Sequence, residues 1–334
     1  MTRTRGAVLS CLLFLSLAVL GQDLPTLRFS LPPMLEALPI AFAQEWDLFE
    51  EHGVSVELVG ITDNRDRTGA FMTGNLDGVM EDVTQSILLA NSGVEISFTS
   101  ASQLRLQTDS VSLAILSPAV FRFETLDELL ESGSSVYTTY RSDYEYILSR
   151  FLQDTYAEDA SAVRVTYIND MLQMAVWLGA QSISAMLPEP YISYIRAYYP
   201  SGGKPVELNV LADLSPYVPT PLVTVFDARY AEQNPEAVAA FYAAYFAAIE
   251  RINNTPRDIL VDEGIDVAVG LFFPGADRTT INQEVLDALQ IPYYELPDVL
   301  SQDLYESVAN WMLEKYYVMH VPAYDEVVTK QFLQ

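Results

Sequence analysis

The chain has 334 residues, with 18 Lys plus Arg against 45 Asp plus Glu and a net charge of −27. Such a field repels phosphate backbones and anionic lipid surfaces, which argues against nucleic-acid binding and charge-driven membrane docking. A single core stops growing near about 250–300 residues, so this length favours two lobes over one.

The chain opens with Arg3 and Arg5, an apolar run from Leu12 to Leu20, and then Gly21-Gln22-Asp23. That order reads as a cleavable secretory signal peptide over residues 1–21. Its core falls short of the roughly 20 apolar residues of a lasting membrane anchor. Cys11 lies close behind Arg5 with most of the apolar run after it, which disfavours lipid anchoring there. The expectation is a protein exported to the periplasm or another extracytoplasmic space, without membrane insertion.

Removing the leader takes away two arginines and no acid, leaving 16 Lys plus Arg against 45 Asp plus Glu, a net −29. It also removes the one cysteine, so neither a disulfide nor a thiol site is expected. Of the two histidines, His52 sits in Glu50-Glu51-His52-Gly53, which reads as a helix end with glycine at the left-handed stop.

Strand and helix signals then alternate. Leu27 to Leu31 and Val54 to Leu58 alternate apolar and polar residues around a helical stretch from Pro39 to Glu51. A helix at Thr68 to Thr73, a strand at Val79-Met80, a helix at Thr84 to Ala90 and a strand at Val94 to Thr99 continue the βαβ rhythm. A strand from Val111 to Leu116 ends at Ser117-Pro118 and precedes a second set. That set comprises helices at Leu126 to Leu130, Asp143 to Gln153 and Asp170 to Gly179, and strands at Ser135 to Thr138, Val163 to Tyr167 and Ser182 to Met186. Leu208 to Leu211 reads as strand, the proline-rich stretch Leu214 to Pro221 as a crossing segment, and Leu222 to Phe226 as strand. Asn234-Pro235-Glu236 opens a helix with a capping Asn and Pro at its first position. On it Val238, Phe241, Tyr242, Tyr245, Ile249 and Ile252 form one apolar stripe, which is core. The remainder reads as mostly helical, including Val285 to Leu289 and Ser301 to Tyr316.

No G-x-G-x-x-G, G-x-x-x-x-G-K or G-x-S-x-G pattern is present, so no nucleotide cofactor or serine nucleophile is expected. Glu81-Asp82 is the best carboxylate pair, but neighbours on a strand point to opposite faces, which reads better as one ligand acceptor and one helix cap than as a catalytic dyad. A binder is favoured over an enzyme, with no cofactor and no metal.

Leu27-Arg28-Phe29-Ser30-Leu31-Pro32 followed by Glu45-Trp46-Asp47-Leu48-Phe49-Glu50-Glu51-His52-Gly53-Val54-Ser55-Val56-Glu57 resembles the opening of the SsuA/THI5-like (NMT1-type) substrate-binding proteins of ABC importers. Met72-Thr73-Gly74-Asn75-Leu76-Asp77-Gly78 is similar to their L-x-x-G-x-x-D turn, Leu187-Pro188-Glu189-Pro190-Tyr191 to their W-E-P-Y passage, and Asn234 to Asn254 to their N-P-E-A-V helix. The chain departs from the pattern at Asp47, where the family usually has Gly, and at Leu187, where it has Trp. The resemblance implies an α/β type II periplasmic-binding-protein fold of two lobes, with mostly parallel sheets flanked by helices and two crossing strands as hinge. Lobe I would combine residues 22–116 with 216–334, the latter a helical C-terminal region, and lobe II would span 117–215. The implied protein is a monomer that delivers a small molecule to a membrane permease driven by a cytoplasmic ATPase. The family's pyrimidine-synthesising branch relies on a cysteine-rich motif that this mature chain lacks.

In open α/β sheets ligands sit beyond the carboxyl ends of strands. The candidate ligand-binding residues are therefore Met34, Glu36, Asp63, Asn64, Glu81, Asp82, Thr84 and Ser102 on the first lobe, and Thr138, Tyr140, Arg141, Glu189 and Tyr191 on the second. Arg141 begins a helix where an anion could bind, but Asp143 follows within the first turn and already supplies negative charge. This excess of acceptors, with tyrosines for flat walls, favours a neutral or cationic heteroaromatic ligand of the thiamine-precursor pyrimidine or riboflavin kind. A sulfonate, taurine or nitrate binder is the alternative, and an exported carboxylate-dependent enzyme a more distant one.

Overall fold

The computed structural model describes residues 24–105, 111–157, 163–197, 206–217, 221–275, 279, 281, 283–288 and 291–333. The leader and Cys11 lie outside the described residues. No described helix is long and apolar enough to cross a membrane.

The first sheet contains β1 (Thr26–Ser30), β2 (Ser55–Leu58), β3 (Gly78–Glu81), β4 (Ile96–Arg105), β10 (Val223–Asp227) and β11 (Tyr293–Asp298), in the order β11-β4-β10-β3-β1-β2. The second contains β5 (Leu113–Pro118), β6 (Ser135–Thr138), β7 (Arg164–Tyr167), β8 (Ser184–Pro188) and β9 (Leu208–Asp213), in the order β7-β6-β8-β5-β9. The chain crosses between the sheets twice, after β4 and after β9. This is the expected α/β architecture of two sheets, but each sheet is mixed. Pairing is parallel in β2-β1-β3 and β7-β6-β8, and antiparallel wherever β4, β5, β9, β10 or β11 takes part. β4 and β9 leave for the other lobe while β5 and β10 arrive from it, so β10 runs against β4 and β5 against β9. Because β5 pairs with β8 and β9, the chain has already entered the second sheet before Leu116.

Local signals explain most elements. The expected helix over Pro39 to Glu51 is two helices, α1 (Leu38–Glu45) and α2 (Leu48–His52), with Asp47 left-handed between them at φ 56. Glycine adopts that conformation without strain, and the left-handed turn is what separates the two helices at Asp47. Gly53 ends α2 at φ 98, the expected left-handed stop. The G-x-x-D turn also has a physical role, since Asp77 holds Arg28 of β1 through Oδ1–Nη2 at 2.7 Å and Oδ2–Nε at 3.0 Å.

Behind the first sheet lies α10 (Pro235–Asn254), whose stripe is buried as expected. Phe241 stacks on Phe49 at 5.3 Å between ring centroids and meets Phe29 at 4.9 Å and Phe226 at 5.6 Å. Gly78 leaves space for this cluster, because a Cβ there would lie 2.7 Å from the Phe29 ring and 2.9 Å from Phe226. Asn234 precedes Pro235 as expected, but its side chain does not cap α10; its amide donates to the Tyr230 carbonyl at 3.1 Å. The C-terminal region is less helical than expected, since β11 adds the edge strand beside β4.

Candidate ligand cleft between the lobes

A cavity of about 220 Å³ opens between the two sheets. The first lobe supplies Pro33 and Met34 after β1, Asn64 and Arg67 from α3 (Asn64–Met72), and Glu81-Asp82 at the end of β3. The second supplies Ser142 and Tyr144 at the start of α6 (Asp143–Tyr156), Asn169 to Leu172 entering α7 (Met171–Gly179), and Tyr191 opening α8 (Tyr191–Ala197). Each group follows the end of a parallel strand, where backbone direction brings successive loops to one rim.

Arg67 and Glu81 form the floor's ion pair. The guanidinium donates to both carboxylate oxygens, at 3.0 and 2.9 Å, and to the Ile61 carbonyl at 2.9 Å. Both side chains are almost wholly buried. Burial pushes the Glu81 carboxyl up, and the Arg67 guanidinium acts against that.

The lobes touch across the cleft. The Tyr191 hydroxyl donates to the Pro33 carbonyl at 3.1 Å, and the Tyr144 hydroxyl to Met34 Sδ at 3.6 Å. At the start of α4 (Val83–Ala90), the Val83 and Thr84 N–H groups donate to Asp143 of the opposite lobe at 3.1 and 2.8 Å, and the Thr84 hydroxyl does so at 2.6 Å. A smaller cavity of about 50 Å³ lies on the other side of this contact, lined by Glu36, Asp82, Asp143, Tyr144 and Glu189 among others.

No protein-family model matches the sequence, and no curated protein does. Solved structures match over nearly the whole chain. The alkanesulfonate-binding protein SsuA from Xanthomonas axonopodis pv. citri, bound to MOPS, has a TM-score of 0.69 at 14% identity over 92% of this chain and 100% of that one. The periplasmic aliphatic sulphonate-binding protein SsuA from Escherichia coli has 0.66 at 15%, over 92% of each chain. The periplasmic nitrate-binding protein NrtA from Synechocystis has 0.66 at 13%, over 93% of this chain and 88% of that one. This is the type II periplasmic-binding-protein fold.

Within the type II binding-protein fold, Met34, Asn64, Glu81, Asp82 and Tyr191 line the main cavity, and Glu36 and Glu189 line the smaller one. The other six expected residues line neither. Asp63 caps α3, accepting from the Arg65 and Asp66 N–H groups. Thr84 is taken up by Asp143. Ser102 is buried on β4 with its hydroxyl on the Leu222 carbonyl at 3.3 Å, and Thr138 is buried against Met186. Tyr140 packs on Tyr167 and Tyr317, and the Arg141 guanidinium lies over the Tyr140 and Tyr317 rings at 5.2 and 4.9 Å. That aromatic group surrounds Glu145, which accepts the Tyr167 and Tyr317 hydroxyls at 2.8 and 2.6 Å. Ser102 lies inside β4, which runs past the expected end at Thr99; the other five flank strand ends or helix starts as expected, but local hydrogen bonds or packing turn their side chains away from the rim.

Arg67 and Asn169 were not singled out by sequence. Tyr144 was legible as one of the tyrosines near the lobe boundary that could wall a ring, and it lines the cavity.

The part-buried Glu36 has its carboxyl pushed up to about 7 by burial. An unfolded Glu loses its proton near pH 4.5, so stability falls as pH rises from there to about 7 and then levels. We expect Glu36→Gln to gain on the wild type across that window by on the order of 2 kcal/mol, after discounting for partial exposure. Urea denaturation of both proteins at pH 4.5, 6 and 8 measures it. A difference constant with pH would show that Glu36 titrates as in water.

Proposed function

We propose that this chain is the exported solute-binding component of an ABC importer, which closes its two lobes on a small molecule and presents the closed form to a membrane permease with a cytoplasmic ATPase. The cavity between the lobes, lined from both sides, is the observation that carries this reading. A solute touching both walls stabilises the closed arrangement by its differential affinity for it, and closure is what a partner can sense. Residues 1–21 would serve as the leader, and the protein would act as a monomer, without cofactor and without chemistry on its cargo.

For the ligand we favour a small neutral or cationic heteroaromatic. Tyr144, Tyr191, Phe272 and Pro33 supply flat apolar walls, while Asn64 Oδ1 is a buried acceptor without a partner. Arg67 is engaged by Glu81 through Nε and Nη2 and by the Ile61 carbonyl through Nη1. The volume lies below the roughly 300–1,000 Å³ of drug-sized pockets, which suits a thiamine-precursor pyrimidine better than riboflavin. The second reading, a sulfonate or nitrate carrier, has in its favour that the similar structures include sulfonate- and nitrate-binding proteins.

A thermal-shift panel of aminopyrimidines, thiamine, riboflavin, taurine, methanesulfonate and nitrate tests both. A ligand at a hundredfold its Kd should add about 2.7 kcal/mol. Stabilisation by pyrimidines alone is the expected result; stabilisation by sulfonates or nitrate alone would overturn the ligand class and leave the binding role standing.

A further inference from the structure

Two helices of opposite lobes point their N-termini at one another here, and each meets a carboxylate from the other's first turn or cap. Asp82 caps its own helix α4 through the Gln85 N–H at 2.6 Å, and its second oxygen accepts the Asp143 N–H at 3.3 Å. Asp143, the first residue of α6, places Oδ1 on the Thr84 N–H and hydroxyl and Oδ2 on the Val83 N–H. Gln85 reinforces the contact by donating to the Arg141 carbonyl at 2.6 Å. Asp82 lines both cavities and Asp143 the smaller one, so the pair stands on the partition between them.

The free N–H groups and partial positive charge of a helix N-terminus are what would receive an oxyanion. In this cleft the N–H groups of Val83, Thr84 and Gln85 already hold carboxylate oxygens, and the Arg67 guanidinium is held by Glu81. An incoming anion would have to displace these bonds and sit beside like charge. Burial and the facing Asp143 push the Asp82 carboxyl well up.

We infer that the Asp82–Asp143 pair is a specificity determinant that fills the facing helix N-termini between the lobes with the chain's own carboxylates, so that the cleft rejects sulfonate, sulfate and nitrate. This rests on reading the chain as a solute-binding protein. For Asp143 this is a role beyond capping its own helix, because it lies one residue past the Ser142 that caps it.

Isothermal titration with methanesulfonate tests the assignment on the mature wild type, Asp143→Ala and the double variant Asp82→Ser/Asp143→Ala, in which Ser still caps α4. Circular dichroism checks that each variant is folded. The wild type is expected to show no saturable binding, Asp143→Ala weak binding, and the double variant a Kd tighter by about tenfold or more. Folded variants that bind no better than the wild type would overturn the assignment. Saturable methanesulfonate binding to the wild type would overturn it whether or not the variants fold, while leaving the solute-binding role intact. Failure of that role would show differently, as a wild type that no solute of any class stabilises.

Discussion

Replacing Arg67 with alanine is expected to lower the folding stability by about 3–5 kcal/mol, because it leaves the Glu81 carboxylate buried without its counter-charge. The pair is made by a bidentate fork at 3.0 and 2.9 Å, with side-chain exposures of only 3% and 1%. A surface ion pair of the same distance would be worth about 0–1 kcal/mol, so burial decides the magnitude. The double variant Arg67→Met/Glu81→Gln should recover a large part of the loss, since removing both charges removes the desolvation penalty with the attraction. Chemical denaturation of the wild type, the single variant and the double variant measures the coupling. An Arg67→Ala loss under about 1 kcal/mol would mean that solvent reaches Glu81 and that the floor of the cleft is not the dry ion pair described here.

The second large effect is expected at Phe241→Ala, at about 3–5 kcal/mol, from lost transfer free energy plus the cavity left behind. Phe241 is fully buried and touches rings from β1, β10 and α2, so no single neighbour can collapse into the space. Phe246→Ala on the same helix is the control. Phe246 is only part-buried, and its loss should be clearly smaller. Equal losses at the two positions would contradict the packing of α10 against the first sheet.

The contrast between these two residues shows what a linear reading can reach. Phe241 was legible as core because it belongs to a stripe at three- and four-residue spacing, a signal confined to one helix. Arg67 was not, because its partner comes from a strand beyond the turn, and nothing in Asn64 to Met72 marks one arginine of two as buried. Asp82 and Glu81 illustrate a middle case. Their opposite faces follow from strand geometry, and Asp82 does cap α4 as expected. That Glu81 faces a guanidinium, and that Asp82 meets an acid 61 residues away, follows from loop-to-loop contact across the cleft. Thr138, Tyr140 and Arg141 were placed correctly at the end of β6 and the start of α6, yet their side chains enter the core or an aromatic cluster. Strand β11 was read as helical territory, and it forms as an edge strand by pairing antiparallel with β4.

The amino-acid order alone determined the alternating elements, the buried stripe of α10, the left-handed stop at Gly53 and the excess of acid at the rim, because these depend on residues within one or two turns of each other. Only the tertiary structure decided which acids face the cavity, which answer a guanidinium and which close on the opposite lobe. Those choices come from hydrogen bonds such as Tyr191 to Pro33, 158 residues apart, and Thr84 to Asp143, 59 apart. Their geometry exists only once both sheets have formed and the crossing strands have set one lobe against the other.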